Sequence, residues 1–259
     1  MFTAGYGFLW AALLFYGLEW QTGRRWPRWA AVGLSGVAWG LWTAGLAERW
    51  QASGHWPMST RYEFGLAFVW ALLGLHLLAT AEVPRAGGGG LLLTLALATD
   101  LLTRPAGERT AAPLLPVLRS LWFPLHTLSA ALAYGLFGVA AGLGLTGLVE
   151  RDGGARASLL GRMERAAGWG FLWLTLSLLL GGIWARYAWG RYWGWDPKET
   201  WTLVVWLLCL LPLHLRPLPA WRGRRQIALV LLGFVGVLFL LLAFPWVIRV
   251  TRLESLHGF

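Results

Sequence analysis

Residues Trp189–Trp201 read WGRYWGWDPKETW and separate two long apolar runs. Four tryptophans share this stretch with five ionisable residues: Arg191, Tyr192, Asp196, Lys198 and Glu199. A loop that only joins two helices needs neither in that density. The runs on either side approach the ~20 residues that cross a bilayer as a helix. The stretch therefore predicts a polar, aromatic loop held at a membrane boundary by two spans, and the rest of the chain reads as the frame around it.

The composition agrees. The chain of 259 residues is 57% hydrophobic and 13% charged, where a soluble domain carries about 25% charged residues. Apolar runs recur along its length, and lipid-exposed backbone is satisfied within helices. The expected fold is all-α: a polytopic transmembrane helical bundle of about eight spans forming a single domain over residues 1–259, with the tryptophan loop facing outward. The spans are placed at Tyr6–Trp20, Trp29–Ala47, Arg61–Ala81, Leu91–Leu102, Arg119 to beyond Gly147, Ala166–Tyr187, Pro197–Leu215 and Ile227–Val247. The fourth is short enough to be re-entrant. The first run has no basic segment before it and no cleavage site, so it is expected to be a retained span. Residues 150–165, ERDGGARASLLGRMER, read as a polar connector or a short amphipathic helix. Gly138 and Gly142 stand four apart amid alanine and glycine, a pattern for close helix packing. Thr60 and Glu63 have capping-box spacing.

The net charge of +10 does not point to nucleic acid, because the basic residues lie in short clusters between apolar runs, as loop anchors do. The clusters Arg24/Arg25/Arg28 and Arg216/Arg222/Arg224/Arg225 fall on one side of the expected topology, which assigns that side as cytoplasmic. The tryptophan loop, both termini, His126 and His257 then face outward. Lys198 is the one lysine among many arginines, and alanine and glycine are abundant, a composition that suggests a bacterial genome. The single cysteine, Cys209, excludes an internal disulfide and a cysteine-built zinc site.

The chain has five histidines: His55, His76, His126, His214 and His257. The expected topology puts His126 and His257 at the outer boundary beside the loop. Two imidazoles on an indole platform suit a flat, apolar cofactor such as haem, with axial histidines on iron and Arg186, Arg191 and Lys198 near enough in sequence to meet its carboxylates. His214 lies roughly 26 Å down the span that begins at Pro197, and His76 roughly 21 Å into the third, at ~1.5 Å per residue. Ionisable residues inside a span default to a functional reading, although His76 equally suits packing. Each signal has a plainer explanation. Tryptophans at span ends form aromatic belts. Asp196-Pro197-Lys198-Glu199 has the form of an N-cap, a proline at the first helical position and an acid at the third.

The loop resembles the tryptophan-rich WWD signature of haem-handling membrane proteins in cytochrome c maturation, and WGRYWGWDPKETW is most similar to the CcsA (ResC) branch. The resemblance extends to PMSTRYEF at 57–64, with Thr60 where asparagine is usual, and to WFPLHTLSAALAYGLF at 122–137. It continues through LPLHLRP around His214 and LESLHGF at the C-terminus, where Gly258-Phe259 replaces Ser-Tyr. By that resemblance His126 and His257 are outer axial ligands of haem b. His214 serves a second haem position in the membrane, with the other membrane ligand on a CcsB/ResB-type subunit. Trp189, Trp193, Trp195, Asp196 and Arg191 are expected to contact the cofactor. The implied protein is a subunit of a cytochrome c synthase in a bacterial cytoplasmic (inner) membrane. It moves haem outward and presents it for thioether attachment to the CxxCH motif of apocytochrome c, with thiol-reducing thioredoxin-like proteins as further partners. The alternative is a haem exporter or chaperone without ligation activity. The residues offer no dedicated general base, and His76 has no counterpart in the family pattern.

Overall fold

A chain this apolar folds into helices because a helix satisfies its own N–H and C=O groups where no water can. The structure, a computed structural model, describes residues 1–80, 114–252 and 255. Its long helices are α1 Phe2–Thr22, α2 Trp26–Ser53, α3 Arg61–Thr80, α4 Trp122–Val149, α5 Gly153–Trp189, α6 Pro197–Leu215 and α7 Arg224–Thr251. No strand occurs among the described residues. All of these helices except α1 are long and apolar enough to cross a membrane, six in total. α1 has 21 residues, roughly 31 Å at the helical rise, and packs along α2. The protein is therefore a multi-pass helical membrane protein, with somewhat fewer spans among the described residues than the eight expected. The fourth expected span, Leu91–Leu102, lies outside the described residues.

One boundary differs instructively. The polar connector expected at 150–165 is the first part of α5, a single helix of 37 residues. Asp152 caps it, its carboxylate accepting the Ala155 N–H at 2.6 Å. No proline interrupts the helix, and Ala, Leu, Arg, Met and Glu favour helix continuation. It ends where Gly190 adopts φ 79° and returns its N–H to Arg186 O, the left-handed stop that glycine allows.

α4 is the centre of the bundle and packs on α3, α5 and α7. Its glycines and alanines allow this. A Cβ on Gly135 would stand 2.9 Å from Leu75 Cδ1 and 3.3 Å from the backbone N of Leu72. One on Gly138 would stand 2.8 Å from Leu72 Cδ1. The expected close packing at Gly138 is thus found against α3. Gly135→Val should cost about 1–3 kcal/mol by overpacking, read as a lower melting temperature of the purified protein, because the Leu72 backbone has no room to yield.

Two helices carry local corrections. Pro212 lies inside α6, and the buried Gln226 donates from Nε2 to its carbonyl at 2.7 Å, tying the end of α6 to α7. α7 opens into a π segment at Phe239–Ala243 just before Pro245. The proline supplies no N–H and its ring crowds the preceding turn, and a wider turn relieves both. His76 is buried and shares a 2.9 Å hydrogen bond between its Nε2 and the Tyr16 hydroxyl. That contact joins α3 to α1 and gives His76 a packing role.

Candidate functional site

The tryptophan loop is built from caps. Asp196 accepts the Lys198 N–H at 2.8 Å. Glu199 Oε2 accepts the N–H groups of Gly194 at 2.7 Å and Asp196 at 3.2 Å. Pro197 occupies the first turn of α6. The capping box therefore forms as its spacing predicts, and it folds residues 194–199 into one rigid corner. Trp195 is left at φ 57°, a left-handed conformation unusual for a bulky residue, and its ring is exposed.

This corner overhangs a cavity of about 490 Å³ walled by α4, α5, α6, α7 and the segment before α3. Cofactor pockets span about 300–1,000 Å³. His126 of α4 lines it. Its Nδ1 lies 2.8 Å from the carbonyl oxygen of Ser177 on α5 and 3.1 Å from the Ser177 hydroxyl, which also reaches His126 O. A carbonyl oxygen can only accept, so Nδ1 carries the proton and Nε2 keeps its lone pair. The ring lies nearly parallel to the Trp184 indole, 7° between planes with centroids 6.2 Å apart. It also lies against bare backbone: a Cβ on Gly181 would be 2.9 Å from His126 Cε1 and Nδ1. Orientation, tautomer and space are thus set by α5, in the way that outer partners orient metal-binding histidines.

Trp193 lines the cavity and packs edge-on to Trp195, centroids 5.8 Å apart. Its indole Nε1 is buried without a hydrogen-bond partner among the described residues, an orphan donor at a cavity wall. Trp189 does not line the cavity. It packs against Trp184, with Leu118 and Phe123 in the same cluster. Asp196 is buried, and its Oδ1 also accepts the Ser255 hydroxyl at 3.0 Å. This brings the chain beyond α7 back to the cavity, which Ser255 lines. His257, two positions on, lies outside the described residues. Arg186 Nη1 donates to Gly190 O, the exposed Arg191 lies over Gly194, where a Cβ would be 2.6 Å from its Nε, and of the three expected carboxylate partners Lys198 alone lines the cavity. His214 is exposed on the last turn of α6, at the far end of that helix from the cavity.

The opposite wall is a polar knot. The Glu63 carboxylate, buried at the start of α3, accepts Arg49 Nε at 2.7 Å, and the backbone N–H and hydroxyl of Ser59 at 2.8 and 2.6 Å. Thr60 Oγ1 accepts the Glu63 N–H at 3.2 Å. Half of the expected capping box is therefore present. The carboxylate turns instead to α2 and Ser59, which sets Met58, Ser59 and Arg61 along the cavity edge. Met58 also receives the Thr127 hydroxyl at 3.3 Å. Ser177, Gly181 and Arg49 carried no motif signal. They lie in ordinary-looking apolar or loop sequence, and Ser177 is 51 positions from the histidine it orients.

Among known families, the model described as Cytochrome C assembly protein matches residues 58–251. The chain is 34% identical to the protein named Cytochrome c biogenesis protein CcsA of Synechococcus sp. (strain CC9605), covering 76% of this chain and 77% of that one. It is 30% identical to the protein of the same name from Gloeothece citriformis (strain PCC 7424), covering 82% and 83%. The corresponding Chlamydomonas reinhardtii protein is 33% identical over 75% of this chain, which spans 59% of that relative's length.

Proposed function

Because this chain belongs to the cytochrome c assembly protein family, we propose that its cavity holds haem b as cargo, with His126 Nε2 as one axial ligand. The role in cytochrome c biogenesis follows from the family, and the haem reading is ours. The observation that carries it is His126: an imidazole whose proton is held on Nδ1 by a backbone carbonyl, so that the other nitrogen offers a lone pair at the wall of a cofactor-sized cavity. The walls suit the cargo. Leu174, Leu240 and Phe244 are apolar, and the Trp193 N–H has no hydrogen-bond partner among the described residues.

His257 is the second axial ligand in this reading. Ser255 at the cavity leaves roughly 7 Å of chain to position 257. His214, roughly 24 Å along α6 from Lys198, belongs to a second haem position shared with a CcsB/ResB-type subunit. The tryptophan loop faces the outer side of a bacterial inner membrane. There the two thiols of an apocytochrome CxxCH segment, kept reduced by thioredoxin-like proteins, add across the haem vinyl groups. Each addition forms one C–S and one C–H bond at the expense of the thiol S–H bond and the vinyl π bond, with no net change of oxidation state. The incoming histidine of that segment replaces an axial ligand, and the protein contributes chiefly by holding the reactants in place.

The test is co-expression of the chain with the partner subunit and an apocytochrome, followed by haem staining of the denatured cytochrome. Covalent stain that disappears with His126→Ala supports a synthase subunit. Haem-loaded protein without covalent product supports export or chaperoning alone. Haem-free protein from haem-replete cells overturns the reading.

A further inference from the structure

The cavity continues past His126 into the bundle. On the helices that wall it, the lining residues farthest from the tryptophan loop are Tyr134 on α4, Leu174 on α5, Thr202 on α6 and Leu240 on α7, and these form its floor. Tyr134 stands roughly 12 Å along α4 from His126 at the helical rise. It is 9% exposed, and its ring packs edge-on against Phe64 of α3, centroids 5.9 Å apart. Other hydroxyls of the wall are spent on the protein. Ser59 donates to the Glu63 carboxylate and Ser255 to that of Asp196. Thr127, Ser177 and Thr202 donate to the carbonyl oxygens of Phe123, His126 and Lys198. The Tyr134 hydroxyl has no hydrogen-bond partner among the described residues. A buried hydroxyl without a partner is costly, and phenylalanine would fill the same space without that cost. The donor is therefore left for an occupant of the cavity.

We propose that the Tyr134 hydroxyl donates to a carboxyl oxygen of the haem, setting the carboxyl edge of the ring on the cavity floor and the vinyl edge towards the tryptophan loop. The inference rests on the haem reading and deepens it. Haem carries its two vinyl groups and its two carboxyl groups on opposing edges. Thiols that arrive at the loop meet the vinyl groups only when that edge faces them, and the carboxyl groups then turn towards the floor. There they leave water, and their oxygens need donors. Leu174 and Leu240 supply none, and the Thr202 hydroxyl is already given to Lys198 O at 2.6 Å. The phenol both donates and accepts, which suits a carboxyl group in apolar surroundings. Side chains of a helix lean towards its N-terminus, so the phenol rises from the floor towards the level of His126.

The test is Tyr134→Phe, which removes the hydroxyl and keeps the ring against Phe64. Haem and iron octaethylporphyrin, which has the same core and no carboxyl group, are titrated into the full chain in lipid nanodiscs and followed by Soret absorption. The variant should bind haem about two- to tenfold more weakly, the worth of one hydrogen bond. It should bind the octaethyl compound within about twofold of wild type. The carboxyl bending mode in the resonance Raman spectrum of bound haem should shift in the variant, with the Soret maximum unmoved because His126 is intact. An unshifted Raman mode overturns the contact whatever the affinities. An equal loss for both porphyrins also overturns it, because Tyr134 is then wall alone. Both of these results leave the haem reading standing. Failure of wild type to bind either porphyrin overturns both.

Discussion

Haem-loaded protein carrying His126→Gly should lose its low-spin Soret spectrum, and millimolar imidazole should restore it. The affinity loss without imidazole should exceed about a hundredfold, beyond the 10–100-fold typical of losing an outer partner of a metal ligand. The reason is geometric. The imidazole is held by Ser177 O, stacked on Trp184 and seated on Gly181, so deleting it leaves a ring-shaped space whose walls persist. Free imidazole fits that space and regains the same Nδ1–H donation. Gly181→Ala provides a graded comparison. A methyl 2.9 Å from the ring must tilt it, so haem affinity should fall by about 10–100-fold although every ligand remains present. An unshifted spectrum in His126→Gly would remove His126 from the coordination sphere.

The second large effect concerns stability. Glu63→Ala should destabilise the protein by about 3–5 kcal/mol, the cost of removing one member of a buried ion pair. The Arg49 and Glu63 side chains are only 11% and 2% exposed, so the guanidinium left behind keeps little water. Ser59 loses an acceptor for both its N–H and its hydroxyl. Glu63→Gln should cost less because an amide oxygen still accepts. Thermal unfolding in detergent measures the difference. If alanine and glutamine prove equal, the charge pair is not what holds this edge. Haem affinity should fall in parallel with the stability loss, since Met58 and Arg61 stand on the same short segment.

The family belongs to chains from chloroplast-bearing as well as bacterial sources, among them Chlamydomonas and Synechococcus. Membership of the family therefore does not distinguish a bacterial membrane from an organelle one, and the bacterial reading rests on the composition of this sequence alone.

Hydrophobic run length and loop chemistry are local properties, and so the sequence alone determined the helical class, most of the apolar helices within the described residues and the Asp196–Glu199 cap. The tryptophan loop was legible for the same reason: its caps and indoles lie within one short segment. What joins that loop to His126 was not legible. Ser177, Gly181 and Trp184 sit on one stripe of a long helix, and only the crossing of α5 over α4 brings that stripe against the imidazole. The burial of Glu63 against Arg49 likewise needs α2 and α3 to meet. Tertiary packing decides such contacts by bringing distant segments within hydrogen-bond reach, and no periodicity along a single chain records that.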